Sequence, residues 1–322
     1  MKFPFTLAVS AVFLFCSSSR AEPRFEEIHV QDAQRFAKLM ENEALPTAMD
    51  LERGYLEGAS RGVQIFIPHR IENADKLARR IAAHPEHYRH AITHCLPLLP
   101  VLQAELRSIY SKYSLLLPEM ALPAVYLVFG AGTSGGTAAQ GAQVIGLEVM
   151  CKAGTTTDQF VTSMRGLLAH ETVHSWQRQA DASAWRDLLL MTALREGVPD
   201  YLASLATGAI PDAARDAWAK ANETWLWKEF EQDRQALVNE RGDGAQLPDS
   251  PEGMARFKRW FANAGRPPEG WPSEAGYWIG MRIAQAYVNR APDRGIAIRE
   301  LIEMRDPLAI LAASGYRPSS TD

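Results

Sequence analysis

The sequence has no long apolar run after its first residues, no excess of basic residues, no repeats and few cysteines. No stretch beyond residue 21 approaches the roughly 20 apolar residues of a membrane-spanning helix, so no stable membrane span is expected. The formal charge is −4 at pH 7, which argues against nucleic acid as a partner. Without repeats or low-complexity tracts, the 322 residues are expected to form one large domain or two closely packed lobes.

The first 21 residues are typical of a secretory signal. Lys2 precedes an apolar run over residues 3–15, and small residues follow up to Ala21, after which cleavage is expected. The mature chain, residues 22–322, is therefore predicted to be exported, either to the periplasm or into the medium. The residue before Cys16 is a phenylalanine, whereas lipid attachment sites normally have a small side chain there, which argues against a lipid anchor.

The predicted mature chain is mildly acidic and contains two cysteines. Removal of Lys2 and Arg20 with the signal changes the formal charge from −4 to −6. In an oxidising compartment, Cys95 and Cys151 could form one disulfide or remain two buried thiols.

Residue patterns divide the mature chain into three parts. Amphipathic periodicity predicts mostly helix over about residues 22–120. The β-rich runs Ala124–Phe129 and Gln143–Cys151 flank a glycine-rich segment and predict a β-hairpin region at about 123–151. From about 157 to 322 the pattern is helical again. The predicted fold class is α+β and mostly helical, with a small β-sheet before the first helix of this last part.

That first helix is predicted to begin with Thr157 or Asp158 as its N-cap and to end near Gln179. Further helices are predicted over residues 184–194, 199–207, 212–239, 251–262, 274–289 and 296–304.

One segment of the first helix has the residue pattern of a metal site. His170 and His174 flank Glu171 in an H-E-x-x-H sequence, and their spacing of four residues places both imidazoles on one helical face. The pattern also occurs by chance in solvated or core helices, so a second feature is needed to support a metal.

An apolar stripe indicates where this face points. Phe160, Met164 and Leu167 form the stripe, and its continuation falls on Glu171 and His174. Polar groups left unpaired at such buried positions would each cost about 1–3 kcal/mol. The stripe therefore favours a metal or a cleft at this face.

The next helical segment supplies a candidate third ligand. Glu196 lies at a distance along the chain that lets a helical hairpin fold it back over the two histidines. Two nitrogens and one carboxylate oxygen, with a fourth position open for water, are typical of a catalytic Zn²⁺ site. Pro199 lacks an amide donor, so we expect the helix to kink or restart near Glu196.

This pair of segments resembles the gluzincin metallopeptidases, in which a glutamate on a later helix completes the zinc site. In the thermolysin-like branch, an aspartate four residues after that glutamate hydrogen-bonds a ligand histidine, and Asp200 lies four residues after Glu196. The resemblance implies that Asp200 fixes the tautomer of a ligand histidine. An exposed carboxylate near a helix N-terminus is the alternative for Asp200.

A broader resemblance covers the chain from about Asp32 to its end and points to a bacterial group of predicted zinc-dependent proteases. It implies a zincin-like catalytic domain and is carried by six segments: Tyr55–Gly58, Pro123–Tyr126, Gly135–Thr137, Ile145–Glu148, His170–Gln177 and Gly276–Gly280.

The resemblance also suggests roles for four further residues. Glu171 would act as the general base on zinc-activated water. Tyr277 would stabilise the oxyanion and Arg282 would contact the substrate, although a tyrosine in such a position is more often a packed aromatic residue. Glu148 resembles the strand glutamate with which gluzincin aminopeptidases bind a substrate amine, or is an ordinary strand carboxylate.

The histidines of the front third form a second candidate metal site. His87, His90 and His94 recur at helical spacing, and His84 lies nearby. A histidine trio without a carboxylate is more typical of a solvated face, so the segment around His170 remains the preferred site.

The sequence therefore predicts an exported zinc-dependent hydrolase, namely a peptidase that acts on a peptide or protein substrate. Two alternatives use the same metal site: an amidase for a non-peptide substrate of the cell envelope, and a non-catalytic exported binding or assembly protein with a structural zinc. The sequence leaves the oligomeric state and the choice between endopeptidase and exopeptidase open.

Overall fold

The protein is described by a computed structural model that covers residues 27–241 and 247–318. The expected signal sequence, its cleavage point and Cys16 lie outside these residues. The described chain is mostly helical with one small sheet, which confirms the α+β class. Its helices are α1 (Gln31–Leu39), α2 (Ala48–Leu51), α3 (Arg61–Phe66), α4 (Ala74–Ala83), α5 (Pro85–His90), α6 (Leu99–Leu116), α7 (Leu147–Met150), α8 (Thr157–Trp176), α9 (Leu188–Thr207), α10 (Ala213–Ala221), α11 (Glu223–Arg241), α12 (Pro251–Trp260), α13 (Ala275–Arg290), α14 (Arg294–Glu303) and α15 (Pro307–Ser314).

None of these described helices is both long and apolar enough to cross a membrane.

The sheet has three strands in the order β1-β3-β2: β1 (Ala124–Val128), β2 (Gly136–Ala139) and β3 (Ala142–Gly146). The fully buried β3 runs parallel to β1 and antiparallel to β2. Gly141 has a φ of 68° and makes the tight turn between β2 and β3, a conformation that glycine adopts without strain. Strand β2 therefore forms one edge of the sheet.

The sheet region corrects two sequence predictions. The run over 143–151 is a strand only as far as Gly146 and then becomes the short helix α7. The glycine-rich segment that was expected to be a loop contains β2. Strand β2 has the sequence Gly-Thr-Ala-Ala, which has little intrinsic preference for strand, so its conformation depends on pairing with β3.

Helix α8 forms because its first turn is capped and one face is buried. The Thr156 hydroxyl accepts a hydrogen bond from the Gln159 amide at 3.3 Å, and the Gln159 side chain accepts one from the Thr156 amide at 3.0 Å. The N-cap is thus Thr156, one residue before the earliest position predicted. Phe160, Met164 and Glu171 are buried, as the stripe predicted, whereas Leu167 and His174 are only half-buried.

Helix α9 is continuous, which corrects the predicted break near Glu196. Pro199 lies inside the helix, where it cannot donate to the carbonyl of Arg195 one turn earlier. The side-chain amide of Gln177 donates to that carbonyl at 3.0 Å instead. The helix therefore tolerates the proline because another donor replaces the missing backbone amide.

A further correction concerns the long helix predicted over residues 212–239, which is divided into α10 and α11 at Asn222. Helix α15, over residues 307–314, was not predicted.

Helices α9 and α13 cross at two glycines. A Cβ atom on Gly280 would overlap the carbonyl of Ala193, and one on Gly197 would overlap the backbone of Met281. Only glycine permits this close approach. The crossing brings Tyr277, one turn before Gly280, next to the segment of α9 that contains Glu196.

A disulfide joins Cys95 and Cys151, with their Cα atoms 6.3 Å apart. Both residues are buried. Of the two alternatives that the sequence left open, the structure shows the disulfide. It links the segment before α6 to the segment between α7 and α8.

Candidate metal centre

Three side chains from α8 and α9 converge on one point. The Nε2 atoms of His170 and His174 are 2.9 Å apart, and the Oε2 atom of Glu196 lies 3.6 Å and 3.2 Å from them, respectively. In a tetrahedral zinc site with bonds of about 2.0–2.1 Å, ligand atoms lie about 3.3 Å apart. The chemistry and spacing of these three donors therefore fit a zinc ion.

The other nitrogen of each histidine is held by a hydrogen bond. His170 Nδ1 lies 2.9 Å from Oδ1 of Asp200, and His174 Nδ1 lies 2.7 Å from Oε1 of Gln177. Both partners are acceptors, so each Nδ1 keeps its proton, and in the neutral imidazole the lone pair of Nε2 faces the shared point. This is the tautomer that a metal ion requires.

Asp200 is connected through Arg215 to Tyr277 on the other side of the centre. Its Oδ2 atom accepts a hydrogen bond from the guanidinium of Arg215 at 2.5 Å, and Asp200 is only 4% exposed. The same guanidinium lies over the ring of Tyr277, 5.3 Å from its centroid. The Glu196 carboxylate lies close enough to Tyr277 to raise the pKa of its hydroxyl. Asp200 is thus a buried, paired residue rather than an exposed carboxylate.

The electrostatics of the centre favour a cation. Burial opposes ionisation of Glu196, but the neighbouring histidines outweigh it and hold the pKa of Glu196 well below its usual range. Burial likewise lowers the pKa of His170, but hydrogen bonds to Asp200 and Glu196 raise it to about 10. The cluster therefore has the acidic partners needed to hold positive charge.

Glu171 lies beside the three donors in a pocket of about 370 Å³. It is 7% exposed, and burial raises its pKa. Strand β2 covers it closely, since a Cβ atom on Gly136 would lie 3.0 Å from its Oε1 atom. The pocket is lined by Arg70, Gly136, Thr137, Ala138, His170, Glu171, His174, Arg195, Glu196 and Tyr277.

Tyr277, on α13, also contacts the centre. Its ring stacks on the His170 ring, with centroids 6.1 Å apart. Burial and the adjacent Glu196 carboxylate raise its pKa well above the usual range, so the hydroxyl remains a donor.

Arg282 and Glu148 lie outside this pocket, which corrects their expected positions. Arg282 donates to Glu223 at 3.1 Å and lies over the ring of Trp278, because it is five residues from Tyr277 and points to another side of α13. Glu148 is buried against the glycine-rich loop and accepts a hydrogen bond from the Gly132 amide at 3.1 Å.

The histidines of the front third form two stacked pairs. The rings of His84 and His87 are 5.2 Å apart, and those of His90 and His94 are 4.3 Å apart. Glu86 lies 3.6 Å from both members of the first pair, so these three residues could also hold an ion. They are more exposed than the centre on α8 and α9, and the described part of the chain gives them no comparable supporting partners.

Three residues of the centre were not predicted from the sequence. Gln177 orients His174, Arg215 pairs with Asp200, and Arg70 lines the pocket. Only the contact of Gln177 has a counterpart in the sequence. Pro199 lies four residues after Arg195, so the Arg195 carbonyl needs a donor from elsewhere, and Gln177 supplies it. Arg70 and Arg215 reach the centre through tertiary folding alone.

Comparison with known proteins overturns the predicted family and function. The model of a family described as gliding motility protein GldB matches residues 255–318, which are 64 of the 322 residues. No curated protein and no solved structure matches the chain. The resemblance to gluzincins and to predicted zinc-dependent proteases was wrong, because the family match is to a gliding motility family. The prediction of an exported zinc peptidase, with its amidase variant, is withdrawn with it.

The physical reason for this error lies in the motif itself. Any helix places residues four positions apart on one face, so the arrangement of His170 and His174 reports local geometry rather than ancestry. The matched segment begins in α12 and includes Tyr277, but it contains none of the three convergent donors.

Proposed function

We propose that this chain is an envelope-associated protein that binds one zinc ion through His170, His174 and Glu196. The observation that carries the proposal is the convergence of three donor atoms while Asp200 and Gln177 hold both histidine Nδ1 atoms. Supporting partners of this kind are typical of metal-ligating histidines.

Two observations support a location in the envelope. Residues 255–318 match a family of gliding motility lipoproteins. The Cys95–Cys151 disulfide is typical of proteins in an oxidising compartment. Under this proposal Cys16 becomes a candidate for lipid attachment in spite of the preceding phenylalanine, and replacing it with serine should release the protein from the membrane fraction.

We also propose a zincin-like arrangement for the part of the fold around the centre. Its support is the position of the edge strand β2 alongside the helix that carries both histidines, with Gly136 against Glu171.

Elemental analysis of the purified protein tests the metal site. We expect about one zinc per chain in the wild type, and less than about a tenth of that in His174→Ala and Glu196→Ala. His94→Ala removes an exposed histidine from another helix and is the matched control. A wild-type protein that takes up no zinc, or a Glu196→Ala protein that retains it fully, would contradict the proposal.

Enzymatic activity is a second candidate function, and Glu171 is the observation that favours it. A zinc ion at this site would supply a bound water of lowered pKa. Glu171 lines the same pocket, and its raised pKa suits a carboxylate that accepts and holds a proton. No substrate class follows from these residues.

Glu171→Gln separates the two candidates. If the centre is catalytic, this variant should keep its zinc and hydrolyse an activated ester such as 4-nitrophenyl acetate at least about a hundredfold more slowly than the wild type. Equal rates in the two proteins would leave metal binding as the function and reject catalysis.

A further inference from the structure

Two guanidinium groups that take no part in holding the metal ligands line the same pocket. Arg70 comes from the short π-helical segment Ile67–Ile71, and Arg195 comes from α9, next to Glu196. They approach the pocket from different parts of the fold. Their positions therefore reflect tertiary packing rather than a run of adjacent basic residues.

The Arg70 side chain has unused donors. Its Nε atom is fully buried and has no hydrogen-bond partner among the described residues. The guanidinium lies 5.9 Å from the centroid of the Phe66 ring, and its charge interacts with that of Glu171. A buried donor without an acceptor is costly, so Arg70 needs an acceptor that the described chain does not provide.

Arg195 lies where two cavities meet. Its side chain lines the metal pocket and also an adjoining cavity of about 770 Å³ that runs past Gln140 and Trp185. Within the described residues, its one side-chain hydrogen bond is a long contact of 3.5 Å to the carbonyl of Arg178. The guanidinium is therefore free to contact a molecule that extends from the metal into the adjoining cavity.

The charges of the loaded centre identify what such a molecule carries. A divalent ion would offset the carboxylates of Glu171 and Glu196, and Asp200 is already paired with Arg215. The positive charges of Arg70 and Arg195 would then have no counterpart in the pocket. A guanidinium group can pair with a carboxylate through two parallel hydrogen bonds.

We propose that the ligand of this centre carries a carboxylate, which Arg70 and Arg195 bind beside the metal. The inference rests on the proposed zinc site and adds the chemical class of its ligand. A metal-binding group on the ligand occupies the zinc, and the carboxylate lies toward the mouth of the adjoining cavity.

Calorimetric titration of the zinc-loaded protein with small hydroxamates tests this inference. Acetohydroxamate is a neutral metal chelator, and the monohydroxamates of malonate, succinate and glutarate add a carboxylate at increasing reach. We expect at least one of the acids to bind about tenfold more tightly than acetohydroxamate, which corresponds to about 1.4 kcal/mol. Arg70→Gln and Arg195→Gln should each abolish this preference and leave acetohydroxamate binding within about twofold.

Two controls separate the possible causes of failure. Arg107→Gln removes an exposed arginine from α6 and should keep the full preference. Zinc content is measured on every sample, because Arg195 adjoins a ligand. A wild type that binds zinc and acetohydroxamate without preferring any acid would overturn the carboxylate inference alone, as would a preference that survives in both arginine variants. A wild type that binds no zinc would overturn the proposed function and this inference together.

Discussion

The side chain of Gln177 donates a hydrogen bond of 3.0 Å to the backbone carbonyl of Arg195. That carbonyl is free because Pro199 has no amide hydrogen. The other end of the same side chain accepts from His174 Nδ1 at 2.7 Å. A proline in one helix thus helps to orient a histidine of the proposed metal site in another.

Replacing Gln177 with leucine should weaken zinc binding by about tenfold to a hundredfold, because His174 would lose the partner that fixes its tautomer. Competition with a chromophoric chelator measures the change. Gln179→Leu, at an exposed position two residues later, is the control and should bind zinc like the wild type. An unchanged affinity in Gln177→Leu would show that Gln177 does not orient the ligand.

Replacing Gly280 with alanine should destabilise the fold by at least about 1–3 kcal/mol, because the added methyl group overlaps the carbonyl of Ala193. Gly166 lies in α8 with open space around it, so Gly166→Ala should stabilise the protein by up to about 1 kcal/mol. Urea denaturation of the two variants measures both effects. Equal stabilities would mean that α9 and α13 can move apart at little cost.

The protonation of Glu148 should make stability depend on pH. Burial raises its pKa from 4.5 to about 7, although amide hydrogen bonds from the glycine-rich loop oppose this. The folded chain therefore binds more protons than the unfolded chain between these values, and this group's contribution to stability falls as pH rises through that window. Glu148→Gln cannot ionise, so it should gain about 2–3 kcal/mol on the wild type between about pH 4.5 and about pH 8.

Urea denaturation at several pH values measures this gain. Glu43→Gln changes an exposed glutamate and should follow the wild type at every pH. A difference between Glu148→Gln and the wild type that is constant across this range would exclude the titration of Glu148 as the cause.

Reduction of the disulfide should lower the free energy of unfolding by about 4 kcal/mol, because Cys95 and Cys151 close a loop with a sequence separation of 56. Denaturation with and without reductant measures the effect. The double variant Cys95→Ser/Cys151→Ser should have the same free energy of unfolding with and without reductant. A wild type that is equally stable under both conditions would indicate that the bond is not formed in solution.

The parts of the fold that depend on local geometry could be predicted from the sequence. The capped helix α8, the shared face of His170 and His174, and the return of Glu196 on the next helix follow from helical periodicity and short connections. Strand β2 could not be predicted, because pairing with β3 stabilises it and its own residues have little preference for strand.

The positions of several residues of the candidate site could not be predicted either, because tertiary packing alone brings these residues to the pocket. Tyr277 reaches the pocket through the glycine crossing of α9 and α13, and this orientation of α13 turns Arg282 toward Glu223. Arg70 enters the pocket from a segment a hundred residues before His170, and no spacing rule connects the two. The sequence therefore indicated the three convergent donors better than the other residues that line the pocket.

The Cys95–Cys151 bond also has a consequence for a nicked chain. The sheet and its glycine-rich loop lie between the two cysteines, so one backbone cut anywhere in this interval leaves two fragments that remain covalently joined. The front helices would stay attached to the histidine-bearing half after such a cut. On an electrophoresis gel, the nicked protein should separate into two bands only when the sample is reduced.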